Sequence, residues 1–220
     1  MYKIIALIGE AGSGKDRILK EVLAAAPTEF NEIISCTTRP PREGEVDGVN
    51  YFFIDAEEFA YKVLNYEMIE ATSFNDWFYG TSYDSLRSDV PNIGVFNADG
   101  IRALQGRQDI DLTVYRIMCS DKTRLLRQLN REEHPNVDEI VRRYKTDKDD
   151  FYDLEFEYTE LQNEINLDLS LAVKKILSQL GLTGEQGQDW LNYLSKKPNI
   201  VHGHNKNTIF RRRKYKICYM

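Results

Sequence analysis

Apolar residues along the chain fall into short continuous runs separated by stretches with a helical repeat. The runs at residues 3–8, 32–36, 51–54, 67–72, 92–97, 112–119 and 157–161 have the length and β-branched or aromatic content of strands. Between them, apolar positions recur every three or four residues over 16–26, 56–63, 82–88, 99–105, 121–131, 137–151 and 169–180, the spacing of amphipathic helices. Start signals reinforce several of these helices. Asp55 precedes Ala56, Asp121 precedes Lys122, and Asn136 is followed three residues later by Glu139 in the pattern of a capping box. Strands that are apolar without alternation are covered on both faces. Their succession with helices predicts an α/β fold with a mostly parallel central sheet flanked by helices. Residues 32–70 break the rhythm with short strands close together, the mark of a small mixed-sheet insert.

After Leu180 the character changes. Residues 181–187 read as a linker, and Trp190, Leu191, Tyr193 and Leu194 fit one short amphipathic turn. The run Arg211-Arg212-Arg213-Lys214-Tyr215-Lys216 is a basic cluster on an acidic chain of net charge −6. Such a cluster is a surface or unstructured tail first and a nucleic-acid contact second. The overall charge offers no general attraction to nucleic acid or an anionic membrane. A chain of 220 residues suffices for one well-cored domain with a lid or appendage, and 42% hydrophobic with 29% charged residues is ordinary for a folded soluble protein. No apolar stretch approaches the roughly 20 residues that span a bilayer. The first strand begins at once, leaving no room for a cleavable signal. Cys36, Cys119 and Cys218 are scattered and odd in number, which favours free thiols in a reducing cytoplasm.

The first strand leads straight into Gly9-Glu10-Ala11-Gly12-Ser13-Gly14-Lys15-Asp16. The pattern G-x-x-x-x-G-K is that of a phosphate-binding loop. Its glycines let backbone N–H groups close on phosphate oxygens, its lysine reaches the outer phosphates, and the following helix favours negative charge at its N-terminus. Asp16 stands where serine or threonine usually ligates magnesium; a carboxylate is also a hard oxygen donor suited to that ion. The alternative is an ordinary glycine turn between strand and helix.

A second constellation runs from Ser35 to Phe53. Arg39 and Arg42, three residues apart and flanked by Pro40 and Pro41, can point at one dianion, since a guanidinium pairs with two oxygens at once. Tyr51 and Tyr79 add phenol donors. Exposed loop arginines serving only as solvated surface are the alternative.

With these residues the chain resembles guanylate kinases. The family run S-x-T-T-R-x-P-R-x-G-E-x-D-G-x-x-Y-x-F is matched by Ser35, Thr37, Thr38, Arg39, Pro41, Arg42, Gly44, Glu45, Asp47, Gly48, Tyr51 and Phe53. The next family element, an acidic residue followed by Y-G-T/S, is matched by Glu70 and by Tyr79-Gly80-Thr81. The resemblance covers about residues 2–180. It implies a P-loop kinase fold over residues 1–181, with a core of 1–34 and 83–181, a monophosphate-binding insert at about 35–82 and a helical lid at about 124–145. Residues 182–220 form an extension of unassigned role.

The activity implied is transfer of phosphate from ATP to GMP with Mg2+, with dGMP or other deoxynucleotides as further acceptors, because the Lys15-Asp16 pair and the strand before Asn97 also resemble monophosphate kinases of bacteriophages. By the same resemblance, residues 9–16 (Gly9, Glu10, Ala11, Gly12, Ser13, Gly14, Lys15 and Asp16) would hold ATP, with Asn163 near its adenine. Arg39, Arg42, Tyr51 and Tyr79 would hold the acceptor phosphate, and Ser35, Glu70 and Thr81 the guanine, with Gly80 a further substrate-binding residue. A carboxylate such as Glu70 accepts from guanine N1–H and the exocyclic amine together. Adenine would leave it unpaired, at a cost of about 1–3 kcal/mol or more.

Phosphoryl transfer further needs cations around the moving group. Lys15 can supply part of that charge, and the resemblance points to Arg131 and Arg143 as the further catalytic candidates, within a cluster that also holds Arg124, Arg127 and Arg142; surface charges balanced by Glu132, Glu133 and Asp138 are the alternative. The chain departs from the family pattern at Asp16, at residues 75–78, and at 95–100, where Asn97 replaces an aspartate and Asp99 is the nearby carboxylate. Asn97 and Asp99 therefore enter as acceptor-site candidates, and Asp16 and Asp99 as metal ligands. His202 and His204, with only distant Cys218, make no convincing metal set. The oligomeric state is not legible.

Overall fold

In a computed structural model the chain is described over residues 1–182, apart from 43, 75, 132 and 166. Five strands form an all-parallel sheet: β1 (Tyr2–Ile8), β2 (Asn31–Glu32), β7 (Asn92–Val95), β8 (Ile110–Met118) and β9 (Thr159–Gln162), in the order β2-β7-β1-β8-β9. Four more, β3 (Cys36–Thr37), β4 (Phe52–Phe53), β5 (Met68–Phe74) and β6 (Trp77–Ser82), form a mixed sheet in the order β4-β3-β6-β5. The helices are α1 (Lys15–Ala25), α2 (Ala56–Leu64), α3 (Ala98–Leu104), α4 (Asp121–Leu129), α5 (Val137–Asp150) and α6 (Leu169–Gln179). The expected α/β architecture with a mixed-sheet insert is thus present.

The central strand β1 explains the unbroken apolar run at its origin. Ile5 and Leu7 pack on one side with Ile18 and Val22 of α1 and Val173 and Ile176 of α6. Ile4, Ala6 and Ile8 pack on the other with Ile101 and Leu104 of α3, Phe151 and Phe156. Two cores flank one sheet, so neither face tolerates a polar residue at these positions.

Three local expectations change. The run 32–36 is not one strand: Ile33 N–H still bonds to Ile93 O (2.8 Å) along the parallel sheet, and by Cys36 the chain has joined the mixed sheet. An apolar run carries no sign of which sheet its members enter. Strand β6 was not expected from the pattern. It pairs antiparallel with β5 from Phe74↔Trp77 inward, beside a tight turn in which Asp76 takes φ 61°. The expected helix at 82–88 is a single 3-10 turn, Tyr83–Ser85, because the side chain of Asn92 captures the N–H of Arg87 (2.8 Å).

The caps follow the sequence in part. Asp55 accepts from Glu58 N and Asn136 from Glu139 N, as their positions suggest. Ser120, rather than Asp121, caps α4. Glu139 does not close a reciprocal box; its carboxylate turns to Arg142 and Arg143. Among the described residues no helix is long and apolar enough to cross a membrane. The expected amphipathic turn near Trp190, His202, His204, Cys218 and the basic cluster lie outside the described residues, as do Glu43, Asn75 and Glu132.

Candidate active site

The loop between β1 and α1 needs its glycines. Gly9 (φ 146°) has no room for a side chain, since a Cβ would stand 2.5 Å from Ile117 O. Gly14 caps α1 in the left-handed region (φ 94°), where a Cβ would meet the Asn163 amide at 2.4 Å. Lys15, the first residue of α1, bends back to donate to Gly9 O (2.6 Å) and Glu10 O (3.3 Å). Burial pulls its proton affinity below the ordinary lysine range, against the opposing pull of Asp16, Asp147 and Glu10. Asp16 is exposed in the first turn of α1. The Ser13 hydroxyl is buried and finds no partner among the described residues.

The loop is gripped from behind by side chains. Buried Asn163, at the end of β9, donates to Ser13 O (2.7 Å), so its amide supports the loop rather than lining the cavity. Arg127 donates to Ser13 O (3.0 Å) and Asn163 O (2.9 Å). Arg124, 0% exposed, donates to Ala11 O (3.1 Å) and Asp147 (2.6 Å) and lies against the Tyr144 ring. Glu10 points towards Arg116 (3.6 Å) and Arg124 (3.7 Å). The N–H of Ala11 is taken by the Asp147 carboxylate at 2.7 Å. The arginine cluster therefore divides. Arg124 and Arg127 hold the loop, Arg142 and Arg143 reach the cavity, and Arg131 is exposed beyond α4, away from the cavity lining.

A cavity of about 770 Å³ joins this loop to the insert. Its floor on the loop side is Gly9, Ala11 and Lys15, and its far wall carries Arg39, Arg42, Tyr51, Tyr79 and Gly80. Arg39 is buried, bonded to both Glu45 oxygens (3.0 and 2.9 Å) and set over the rings of Tyr51 and Phe53. Glu45 also accepts from Arg42 N (2.8 Å), so one carboxylate shapes the whole turn. The Arg42 guanidinium makes no hydrogen bond or ion pair with another described residue. Arg42 is exposed as a residue, yet partial desolvation of its guanidinium at the cavity wall lowers its proton affinity, and the positive charges of Arg143 and Arg39 lower it further. Cations gathered this way await an anion. Tyr51 packs edge-on to Tyr79 with ring centres 6.2 Å apart, and burial keeps its phenol protonated and able to donate.

At the other end of the cavity, Glu70 on β5 is 8% exposed and accepts from Thr81 Oγ1 (2.8 Å), which in turn lies 3.3 Å from Ser35 Oγ. Burial pushes the Glu70 carboxyl up to about 7, with the hydrogen bonds from Thr81 offsetting part of that rise. The N-terminal turn of α3 presses on it: a Cβ at Gly100 would stand 3.3 Å from Glu70 Oε2. Asn97 lines the cavity, but its amide is in use at both ends. It accepts from Gly100 N (2.6 Å) as the cap of α3 and donates to Thr72 Oγ1 (3.0 Å). Asp99 also lines the cavity and is paired with Arg102 at 2.6 Å.

Two participants escaped the sequence. Glu45 sits inside the arginine motif without an assigned role, and its link to Arg39 needed the folded turn. Asp147 lay in a helical stretch of acidic and basic residues. The available signal was its spacing, since Glu139, Arg143 and Asp147 are four residues apart in succession and share one helix face.

Residues 1–180 match the guanylate kinase family model. A curated guanylate kinase of Bacillus cereus is 46% identical over 87 residues, covering 40% of this chain and 42% of that protein, so the matched stretch spans under half of the relative. The guanylate kinase of Campylobacter jejuni is 28% identical over 167 residues, covering 74% of this chain and 82% of that one. In fold, the crystal structure of guanylate kinase from Anaplasma phagocytophilum is similar with a TM-score of 0.59 at 22% identity, covering 82% of this chain and 85% of the other. With a family match reaching across nearly every described residue, this chain belongs to the guanylate kinase family.

Proposed function

We propose that the protein transfers the terminal phosphate of ATP to GMP, and to dGMP, yielding the two diphosphates. One observation carries this reading: a single cavity holds the Lys15 loop at one end, the Arg39–Arg42 turn along its wall and the buried Glu70 at the other. A triphosphate laid on the loop and a monophosphate held by the arginines then share one cavity, which in-line transfer requires.

The residues divide the work. Lys15 leaves the loop carbonyls to neutralise charge on the transferring phosphate. Arg39, Arg42, Tyr51 and Tyr79 fix the acceptor phosphate, and Arg143, whose charge Arg42 already feels, spans donor and acceptor. Ionised Glu70 accepts from guanine, with Thr81 and Ser35 completing the base pocket. Magnesium reaches such sites on phosphate oxygens and needs only one or two carboxylates besides water. Among the described residues no cluster of three or more ligating side chains is present, and that donor poverty fits a metal carried by the nucleotide. Asp16, exposed beside Lys15 in the first turn of α1, would hold it, with Asp99 available if it leaves Arg102; the ion would withdraw charge from the phosphates. Cys36 and Cys119 are free thiols, which supports the cytoplasm as the place of action.

The test is a panel of GMP, dGMP, AMP, dTMP and CMP at fixed ATP and Mg2+. Turnover should be confined to the guanine nucleotides, and no turnover of either would refute the reading. Within it, Arg42→Ala is expected to raise KM for GMP by roughly ten- to a hundred-fold, the worth of a charge-assisted pair. Steady-state kinetics with GMP varied would show this, and an unchanged KM would remove Arg42 from the acceptor site.

A further inference from the structure

Helix α5 carries Arg143 over the cavity and yet buries none of its own residues. Val137 and Val141 in its N-terminal half are 53% and 43% exposed. Its apolar anchor is Phe151, the core residue that caps its C-terminal end; along the helix itself its position depends on polar contacts, and these gather in its C-terminal half. Tyr144 and Lys148 bond to Asp121 at 2.7 and 2.8 Å, but Lys148 and Asp121 are about half exposed, and pairs of that kind contribute little. Asp147 differs. Its side chain is 13% exposed, and a single oxygen, Oδ2, accepts from Ala11 N (2.7 Å) and from Arg124 (2.6 Å), a guanidinium that is itself 1% exposed and bonded to Ala11 O. The helix is thereby bonded to the backbone of the phosphate-binding loop itself.

We infer that Asp147 is a positioning residue: it fixes the register of α5 on the nucleotide loop and so aims Arg143 between donor and acceptor phosphates. Arg143 stands four residues earlier, one turn up the same face, at a distance of about 6 Å along the axis. A helix held at Asp147 cannot slide or roll without carrying Arg143 with it, and displacements near 1 Å at a reacting centre can cost about a hundred-fold in rate. Glu139, one further turn up, holds Arg143 Nε at 2.7 Å and completes the line from loop to arginine. The inference rests on the kinase reading for its kinetic part alone; the contact between α5 and the loop stands apart from it.

Two measurements separate these. In steady-state assays with ATP and GMP, Asp147→Ala should lower kcat by roughly thirty- to a hundred-fold with KM for GMP within about threefold. Asp147→Asn, which keeps an acceptor for the Ala11 amide, should lose about three- to tenfold. In an Arg143→Ala background the same Asp147→Ala change should cost less than about threefold, because both act through one group. Hydrogen exchange at the Ala11 amide should be at least about tenfold faster in Asp147→Ala and unchanged in the exposed control Asp149→Ala. Wild-type kcat in Asp147→Ala, or an undiminished loss in the Arg143→Ala background, would overturn the positioning role, and unchanged Ala11 exchange would overturn the contact. Should Asp147→Ala fail to fold, wild-type kcat in Asp147→Asn would overturn it equally. A wild-type protein inert toward guanine nucleotides would sink the proposed function, with the exchange measurement still deciding the contact.

Discussion

Replacing Lys15 with alanine is expected to lower turnover by at least about a hundred- to a thousand-fold while leaving the fold intact. The loss reflects one preorganised cation withdrawn from the charge that develops on the phosphoryl group. The intact fold follows from how the resting chain holds this side chain. The residue is half-buried at the cavity floor, desolvation lowers its proton affinity, and its hydrogen bonds run to two loop carbonyls that water can serve instead. A lysine whose folded proton affinity is depressed costs stability at neutral pH. That cost fades only as alkaline pH, below the ordinary value of 10.5, removes the proton from the folded chain. Lys15→Ala should therefore melt at or above the wild-type temperature at pH 7. Calorimetry and kcat measured on one preparation decide the matter. A well-folded variant keeping more than a tenth of wild-type turnover would place the phosphate chemistry elsewhere.

The second large effect belongs to Glu70→Gln and is a pH effect. The carboxyl sits at about 7 in the folded chain against an ordinary 4.5. Between those values the folded state keeps a proton that the unfolded chain releases, so wild-type stability falls as pH rises from about 4.5 to 7 and levels off above. Glutamine cannot ionise and removes that slope. The variant should match the wild type near pH 4 and exceed it at pH 8 by up to about 3 kcal/mol, the whole shift converted. Function should move the other way. Glutamine offers guanine one acceptor and one donor where two acceptors are wanted, so KM for GMP should rise about ten- to a hundred-fold with KM for ATP unmoved. In the wild type, GMP binding should weaken as pH falls through 7, because the protonated acid no longer accepts twice; in Glu70→Gln only the dependence from protonation of the GMP phosphate itself, at about pH 6, should remain. Denaturant titrations at both pH values and GMP kinetics across them are the measurements. Parallel stability curves for the two proteins would deny Glu70 its buried, uncharged state.

What the sequence revealed and what it hid have physical causes. The glycine loop and the Arg39–Arg42 turn are local devices visible in the spacing, their purpose given by the family resemblance, and residues of both line the cavity. The parallel sheet was legible because β1 is apolar at every core position, as a strand covered on two faces must be. Strand β6 was hidden because Trp77-Phe78-Tyr79 follows a polar turn and is half exposed, without the alternation of a one-sided strand. The arginines of residues 124–143 could not be sorted by spacing, and only the resemblance singled out Arg131 and Arg143. Arg124, Arg127, Arg131 and Arg143 look alike along a helix, and only the packing of Asn163, Asp147 and Ala11 around the loop shows which of them are structural grips. Asn97 shows the same limit, since its capping and its bond to Thr72 depend on two elements meeting.

The two sheets share no strand: the chain leaves the parallel one after Ile33 and returns to it only at Asn92. The groups proposed to choose the base, Ser35, Glu70 and Thr81, all lie on that excursion, whereas Lys15, Arg124 and Asn163 lie outside it. Acceptor preference is thus concentrated on one excursion of the chain, joined to the rest through Asn97, bonded to Thr72, and Gly100, set against Glu70. Exchanging residues 35–82 together with those two contacts for the corresponding parts of a kinase with another base preference would re-address the catalyst without rebuilding its engine.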